Sequence, residues 1–280
     1  VLRFQAKGLI PDETINARID LTRPFTNTDL VITRYTVPFP HWQGSPLRIV
    51  HLSDLHVTAQ YPAHYYDEVL QRVTEAKPDV LFITGDFVTK AKDIPLLPQF
   101  LMPLGQVCRT FAVLGNHDYW ANADKIARVV RQAGIDLLRH ECREVELEHG
   151  QILSLCGDEA PWGQAEAPRG NDHFPPDCSN MLRMVLTHTP DNIYRLSAAG
   201  AHAVFAGHYH AGQFRIPYLG SLVVPSAYGR RFDHGHFIVN GTHLFVSSGI
   251  GAAVAPLRIY CQPDFFIVDV TAALQNSLSP

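Results

Sequence analysis

The stretch LRIVHLSDLH, residues 47–56, decides how the chain is read. Its first part, Leu47 to Leu52, is mostly apolar and bounded closely enough to be a strand. The run then ends in Asp54-Leu55-His56, which sets two metal-competent side chains just beyond the strand and two positions apart. In extended backbone, residues so spaced point to one face, so Asp54 and His56 can reach a common centre. In open α/β sheets, the carboxyl ends of strands are where ligands and catalytic groups collect.

The arrangement recurs down the chain. Gly85-Asp86 follows a strand expected over Val80 to Thr84, and Gly115-Asn116-His117-Asp118 follows one over Thr110 to Leu114. His188 follows Arg183 to Thr187, and Gly207-His208-Tyr209-His210 follows Val204 to Ala206. Helical periods fall near His64 to Ala76, Pro95 to Leu104, Ala123 to Ala133 and Asp191 to Ala199. Strands alternating with helices imply βαβ units. Glu144 to Glu148 and Gln151 to Leu155 read as a hairpin, Pro161 to Asn180 as a surface loop, and the tail from Gln213 to Val270 as strand-rich. The whole suggests one domain of two β-layers flanked by helices, over residues 46–280. Residues 1–45, rich in turn residues, form an N-terminal arm with one strand over Leu30 to Val37.

Composition bounds the function. The 280 residues carry 23 Lys plus Arg against 27 Asp plus Glu, a formal net charge of -4, with no basic cluster; this argues against a nucleic-acid partner. Phe237 to Leu257 has no Asp, Glu, Lys or Arg over 21 residues, enough to raise a membrane span. It contains Asn240-Gly241, a strong hairpin signal, and reads as two strands. The chain begins at Val1 without a leader pattern, as a processed protein or excised fragment would. The five Cys (108, 142, 156, 178 and 261) include no C-x-x-C pair; they read as small buried hydrophobes with at least one free thiol.

Pooled, the strand-end residues Asp54, His56, Asp86, Asn116, His188, His208 and His210 offer two carboxylates, one amide oxygen and four imidazoles. That mixture suits divalent transition metals such as Mn, Fe or Zn. Seven ligands exceed one tetrahedral site, whereas two ions sharing a carboxylate use them all, and such pairs activate water and clamp phosphoryl oxygens.

In this order, D-x-H, G-D, G-N-H-D, H and G-H-x-H resemble the motifs of the calcineurin-like metallophosphoesterases, a likeness covering about residues 45 to 270. The resemblance implies an α/β fold, a four-layer αββα sandwich of two mixed β-sheets flanked by helices. It implies Asp54, His56 and His210 on one divalent ion, Asn116, His188 and His208 on the other, and Asp86 bridging. It places His117 as the catalytic residue that protonates a leaving group; orienting a neighbouring ligand is the alternative role. It implies hydrolysis of phosphodiester or pyrophosphate bonds by metal-activated hydroxide.

LRIVHLSDLH, the T-H-x-P at Thr187 to Pro190, the G-H-x-H-x-G-Q at Gly207 to Gln213 and the tail Ser247 to Phe266 are similar to a membrane-associated branch. That branch includes a UDP-2,3-diacylglucosamine pyrophosphatase, so a lipid-linked or nucleotide-sugar substrate is implied. A soluble domain in peripheral membrane contact, associated through a segment upstream of Val1, would serve it. Alternatives are a broad-specificity phosphomonoesterase or phosphodiesterase on small soluble substrates, and a non-catalytic protein-binding scaffold. Thr89 stands where many relatives carry an acidic residue, so a carboxylate partner for His117 must come from elsewhere.

The remaining histidines have plainer readings. His51, inside the first strand, is expected in the core or behind a ligand. His41, His64, His140, His149, His173, His202 and His243 read as surface or turn residues. His234 and His236, near Arg230 and Arg231, sit in a solvated loop or meet an anionic substrate, the former favoured. Asp118 caps a helix or lines the site with Tyr119. Ile94 to Leu104 is read as a buried helix in preference to an acyl-chain contact, solvent exposure of Leu97, Phe100 and Leu101 being the deciding observation.

Overall fold

A computed structural model describes residues 8–18, 20–40, 42–147, 151–163, 174, 181–253 and 255–273. In chain order the elements are β1 (Glu13–Ile15), β2 (Val31–Phe39), β3 (Leu47–Leu52), α1 (Ala63–Glu75), β4 (Val80–Thr84), α2 (Leu97–Leu104), β5 (Arg109–Val113), α3 (Asn116–Gln132) and β6 (Asp136–Leu137). They continue with β7 (Cys142–Glu146), β8 (Ile152–Asp158), β9 (Leu182–Thr187), α4 (Ile193–Ala198), β10 (Ala203–Ala206), β11 (Arg215–Ile216), β12 (Gly220–Ser221), β13 (Gly235–Val239), β14 (Thr242–Val246) and β15 (Asp264–Ala272).

Two mixed sheets result. One has the order β1-β2-β15-β3-β4-β5-β6, the other β13-β14-β10-β9-β8-β7, and β11 pairs with β12 in a small ribbon. Strands β3 to β6 run parallel, as do β8, β9, β10 and β14. Strand β4 shows why its sequence is apolar throughout. Val80 and Phe82 face the second sheet, while Leu81 and Ile83 face the helices. A strand covered on both faces reads as a continuous apolar run.

Three packed zones therefore define four layers, as the resemblance implied. Val69, Val73, Leu101, Ile126 and Val130 of the helices cover one sheet; Phe82, Phe111, Phe205, Phe245 and Phe266 fill the space between sheets; Ile193 and Leu196 of α4 cover the other. Phe82 lies edge-on to Phe205 at 5.1 Å between ring centroids.

Several details differ from expectation. Helix α3 begins at Asn116, seven residues before the Ala123 read from apolar spacing, with non-helical backbone at Asn122. Cys142 and Cys156 are not simple buried hydrophobes: directly opposed in the β7–β8 ladder, they form a disulfide, while Cys261 is a buried free thiol. Cys178 and most of the loop expected over 161–180 lie outside the described residues. The Ile94–Leu104 segment forms a 3-10 turn and α2, with Leu97 and Leu101 fully buried and Phe100 5% exposed, so it is core. The first half of the charge-free stretch lies in the β13–β14 hairpin, turning at Asn240 and Gly241, both with positive φ, whereas residues 247–253 and 255–257 form neither strand nor helix. Among the described residues no helix is long and apolar enough to cross a membrane.

Phe82 is fully buried between the sheets, so Phe82→Ala should cost about 3–5 kcal/mol. Urea denaturation should show a lower midpoint with an unchanged slope; a midpoint equal to wild type would contradict this account of the intersheet core.

Candidate metal centre

Strands β3, β4, β5, β9 and β10 all end at one edge of the sandwich, and the ladder there runs past the named strand ends. Asp54 N–H donates to the Gly85 carbonyl at 3.0 Å, His56 N–H to Asp86 at 2.9 Å and Val57 N–H to Phe87 at 2.8 Å. From the other sheet, Gly207 N–H donates to the His188 carbonyl at 3.0 Å. The turns are sharp: Asp54, His56, Asp86, His208 and His210 all adopt positive φ, between 39° and 71°. Left-handed backbone at residues with a Cβ costs roughly 1–2 kcal/mol each and is held only where surroundings fix it. Close approach also requires glycine: a Cβ at Gly207 would stand 2.1 Å from Asp54 Oδ2, and one at Gly115 2.7 Å from the Asp86 backbone nitrogen.

The expected ligands converge as two overlapping groups. Asp54, His56, Asp86 and His210 have donor atoms all within 4.8 Å of one another, and so do Asp86, His188 and His208; Asp86 belongs to both. His210 Nε2 is 3.2 Å from Asp54 Oδ1 and 3.1 Å from His56 Nε2, while His188 Nε2 is 3.2 Å from Asp86 Oδ2 and 3.0 Å from Asn116 Oδ1. His208 Nδ1 is 3.2 Å from His188 Nε2.

The donor chemistry fits divalent cations. Asp54 Oδ1 is buried without a hydrogen-bond partner, although His56 and His210 direct ring nitrogens toward it. Burial pushes the Asp54 carboxyl up to about 7 and the His56 and His208 imidazoles down to about 3. Burial also works against charge on His188, but the Asp86 carboxylate outweighs it and raises that imidazole to about 9. Carboxylates and imidazoles concentrated out of water are accommodated by bound metal, and the family resemblance supplies two such ions.

Outer contacts orient the ligands. His188 Nδ1 donates to the Thr84 carbonyl at 2.7 Å, leaving Nε2 toward Asp86, and His56 Nδ1 meets Thr89 Oγ1 at 2.8 Å. Thr89, the departure from the resemblance, thus contacts the candidate ligand His56. His51 is buried, with Nε2 2.9 Å from Thr84 Oγ1 and its ring against Phe205, in the core behind the ligands as expected. His117 opens α3: its backbone N–H donates to Asp86 Oδ1 at 2.9 Å, and its half-buried ring lies 5.1 Å from that of His56 and 4.9 Å from Trp120. Asp118 caps the helix, accepting from Gly115 N–H at 2.9 Å and Phe87 N–H at 2.8 Å, and Tyr119 donates to Glu159; of the two readings of Asp118, capping holds.

Three residues escaped the sequence reading. Buried Glu159 accepts from Leu114 N–H at 2.7 Å and pairs with Arg139, bracing the segment before Asn116. Trp162 packs on His188 and His208, at 5.6 and 5.1 Å between ring centroids. Arg258, fully buried, donates to the carbonyls of Ser248 at 2.6 Å and Gly249 at 2.9 Å, and its Nη2 lies 3.4 Å from His210 Nδ1. The loop it gathers ties back to the first motif, because Ile250 N–H donates to the Ser53 carbonyl and Gly251 N–H to that of Asp54. No periodic or spacing signal marks any of the three.

The solvated-loop reading is wrong for His236, which lies in β13, whereas His234 sits in the bend before that strand with its side chain 35% exposed. His236 is buried between Tyr35 and Phe245 and accepts from Leu9 N–H, and His234 pairs with buried Asp264. His243, read as surface, lies in β14 with its ring 4.9 Å from Phe39. His41, His149 and His173 lie outside the described residues.

Arg258→Lys keeps the charge but loses the planar fork that gathers these carbonyls. Metal affinity should fall about 10–100-fold, as removal of ligand-orienting groups does elsewhere. Titration calorimetry of the metal-stripped variant with Mn²⁺ checks this; wild-type affinity would show that the clamp does not reach the ligands.

The family model for calcineurin-like phosphoesterases matches residues 47–212. Over 245 residues the chain is 26% identical to phosphodiesterase YaeI of Escherichia coli (strain K12), covering 85% of this chain and 87% of that one. Over 227 residues it is 27% identical to UDP-2,3-diacylglucosamine pyrophosphatase LpxG of Chlamydia trachomatis serovar D, covering 64% of this chain and 68% of that one. A 5'-nucleotidase precursor from Thermus thermophilus is similar in structure at 14% identity and a TM-score of 0.47, over 74% of this chain and about half of its own length, 49%. The matched span takes in all five strand-end motifs, and the chain belongs to the calcineurin-like phosphoesterase family, as a metallophosphoesterase.

Proposed function

We propose that the chain hydrolyses phosphodiester or pyrophosphate bonds, with a lipid-linked or nucleotide-sugar substrate such as UDP-2,3-diacylglucosamine. The observation that carries the chemistry is the pair of buried ligand groups sharing Asp86. Asp54, His56 and His210 would hold one divalent ion, Asn116, His188 and His208 the second, and Asp86 would contact both. When bound, such ions supply Lewis acidity toward phosphoryl oxygens and a water whose pKa falls from about 15.7 to near 7.

The protein's own part is placement and proton delivery. Asp86 is fixed on one side by the His117 N–H at the start of α3, where the helix N-terminus favours negative charge. The His117 ring stands beside His56 at the less buried side of the ligand groups and gives its proton to the departing oxygen. Its contacts to His56 and Trp120 fix the ring plane; general-acid assistance of this kind is typically worth ~10²–10⁴-fold.

Two observations support an apolar substrate portion. One is the similarity to LpxG. The other is a cavity of about 340 Å³ whose lining includes Val57, the residue after His56, together with Tyr61, Tyr66, Leu70, Leu96 and Phe100. Buried α2 thus forms a wall of a groove as well as core.

Metal-stripped protein restored separately with Mn²⁺, Zn²⁺ or Fe²⁺ should cleave diester or pyrophosphate members of a panel that also holds phosphomonoesters and UDP-acyl-glucosamine. Turnover confined to soluble esters would establish the broad-specificity alternative, and none with any metal would favour the scaffold. His117→Ala should keep both metals and lose about 10²–10⁴-fold in kcat, most with poor leaving groups; unchanged kcat would remove its assigned role. Asp86→Ala should lose both ions, which metal analysis of the purified variant would refute by finding either at full occupancy.

A further inference from the structure

Among the described residues, seven of the fourteen large apolar side chains exposed to solvent fall between Phe214 and Tyr228. They belong to the β11–β12 ribbon and the residues that flank it. At the tip, Tyr218 is 88% exposed and Leu219 72%; just beyond, Val223 is 76% exposed and Leu222 54%. The ribbon pairs only Arg215 with Ser221 and Ile216 with Gly220, so it is too small to be stable unless anchored. Its base is anchored beside the metal ligands. Ser221 Oγ and Arg215 Nη1 both donate to the Ala211 carbonyl, at 2.9 and 3.0 Å, one residue after His210.

The charged side chains of the ribbon segment itself are all basic, although Asp233 follows it directly and Asp191 accepts from Ser226 and Ala227. Residues 210–232 contain Arg215, Arg230 and Arg231 and no Asp or Glu, although the chain as a whole has a formal net charge of -4. Arg18, Arg215 and Arg230 line a cavity of about 490 Å³ whose wall includes Tyr218 and Leu219. Asp233, also in that cavity, is engaged by Arg215 at 3.2 Å and by Ser221. Phe25, 62% exposed, extends the apolar face, because it bridges to Ile259 as Phe214 does. A projecting tip carrying an aromatic and aliphatic residues, with arginines at its base, has the chemistry of an interfacial anchor. Tyrosine suits the headgroup boundary, aliphatic side chains the acyl region, and guanidinium groups anionic headgroups. A convex tip of this kind enters a fluid hydrocarbon layer more readily than a preformed concave protein pocket.

We propose that the β11–β12 ribbon and the arginines at its base dock this domain on an anionic phospholipid bilayer, bringing the metal centre to the membrane surface. The inference deepens the lipid-linked reading and rests on it for its purpose, since the ribbon grows from the turn that carries His210.

The test is cosedimentation of the metal-loaded full chain with phosphatidylcholine vesicles, with and without phosphatidylglycerol. Wild type should pellet with the anionic vesicles and far less with pure phosphatidylcholine. Combining Tyr218→Ser, Leu219→Ser and Val223→Ser should lower the partition coefficient at least about tenfold while hydrolysis of soluble bis-p-nitrophenyl phosphate stays at the wild-type level. Tyr218→Trp should show a blue-shifted emission on anionic vesicles, a readout independent of the triple variant's folding. Wild type remaining in solution with both vesicles, equal pelleting with both, undiminished binding of the triple variant, or an unshifted Tyr218→Trp emission would each overturn the proposal. Wild type that binds vesicles but cleaves no phosphoester would instead count against the proposed function and leave the docking standing.

Discussion

The Asp86 carboxylate is the side chain that the two metal-competent groups share. One oxygen accepts the His117 N–H at the start of α3; the other faces His188 from the second sheet and His56 from the segment after β3. Burial alone would drive such a carboxyl toward its neutral form, but the His188 imidazole beside it more than reverses that and holds it well below the usual carboxylate range. Four chain segments thus meet on one buried negative charge. The geometry requires positive charge nearby, and this ties the centre's order to cation binding, because ions bound only in the folded state stabilise it.

The same constraint explains the backbone. Five candidate ligand residues in left-handed conformation are expensive together, and relaxing toward ordinary geometry would move their donor atoms. The extended ladder from Asp54 to Val57 and the close contact of Gly207 with Ser53 and Asp54 supply the opposing hold. Strain and ligand placement are therefore one feature: the chain turns sharply at strand ends because the side chains must face inward across the gap between sheets.

This shows which parts are legible in sequence. Strands β3 and β4 can be read to the residue because cores cover both faces, and their motifs lie where the apolar runs stop. Apolar spacing places the start of α3 seven residues late because its first turns face the centre, so they are polar, and buried apolar side chains return only at Ile126. Its true start is marked by Asp118, a capping residue whose partners, Gly115 and Phe87, lie on separate segments. The Cys142–Cys156 bridge reflects ladder register, which a separation of 14 residues does not reveal. Arg258 is invisible for a related reason: its role lies in carbonyls it gathers, and carbonyls leave no trace in a sequence.

Arg258 also shows why the centre depends on chain beyond the matched residues 47–212. The Ser248 to Gly251 loop that it gathers returns to pair with Ser53 and Asp54, so the first motif is held from the far end of the chain. Strand β15 then lies between β2 and β3, and β14 lies beside β10, each supplying half of a neighbouring strand's hydrogen bonds. Without them β3 and β10, the two strands that lead into Asp54 and His208, would become open edges with the apolar residues between the sheets uncovered. The motifs supply the candidate ligands, whereas the tail supplies the strand partners and loop clamp that keep those side chains together. A family signature confined to the motifs therefore marks where the chemistry is, and the later strands determine whether the centre can hold its shape.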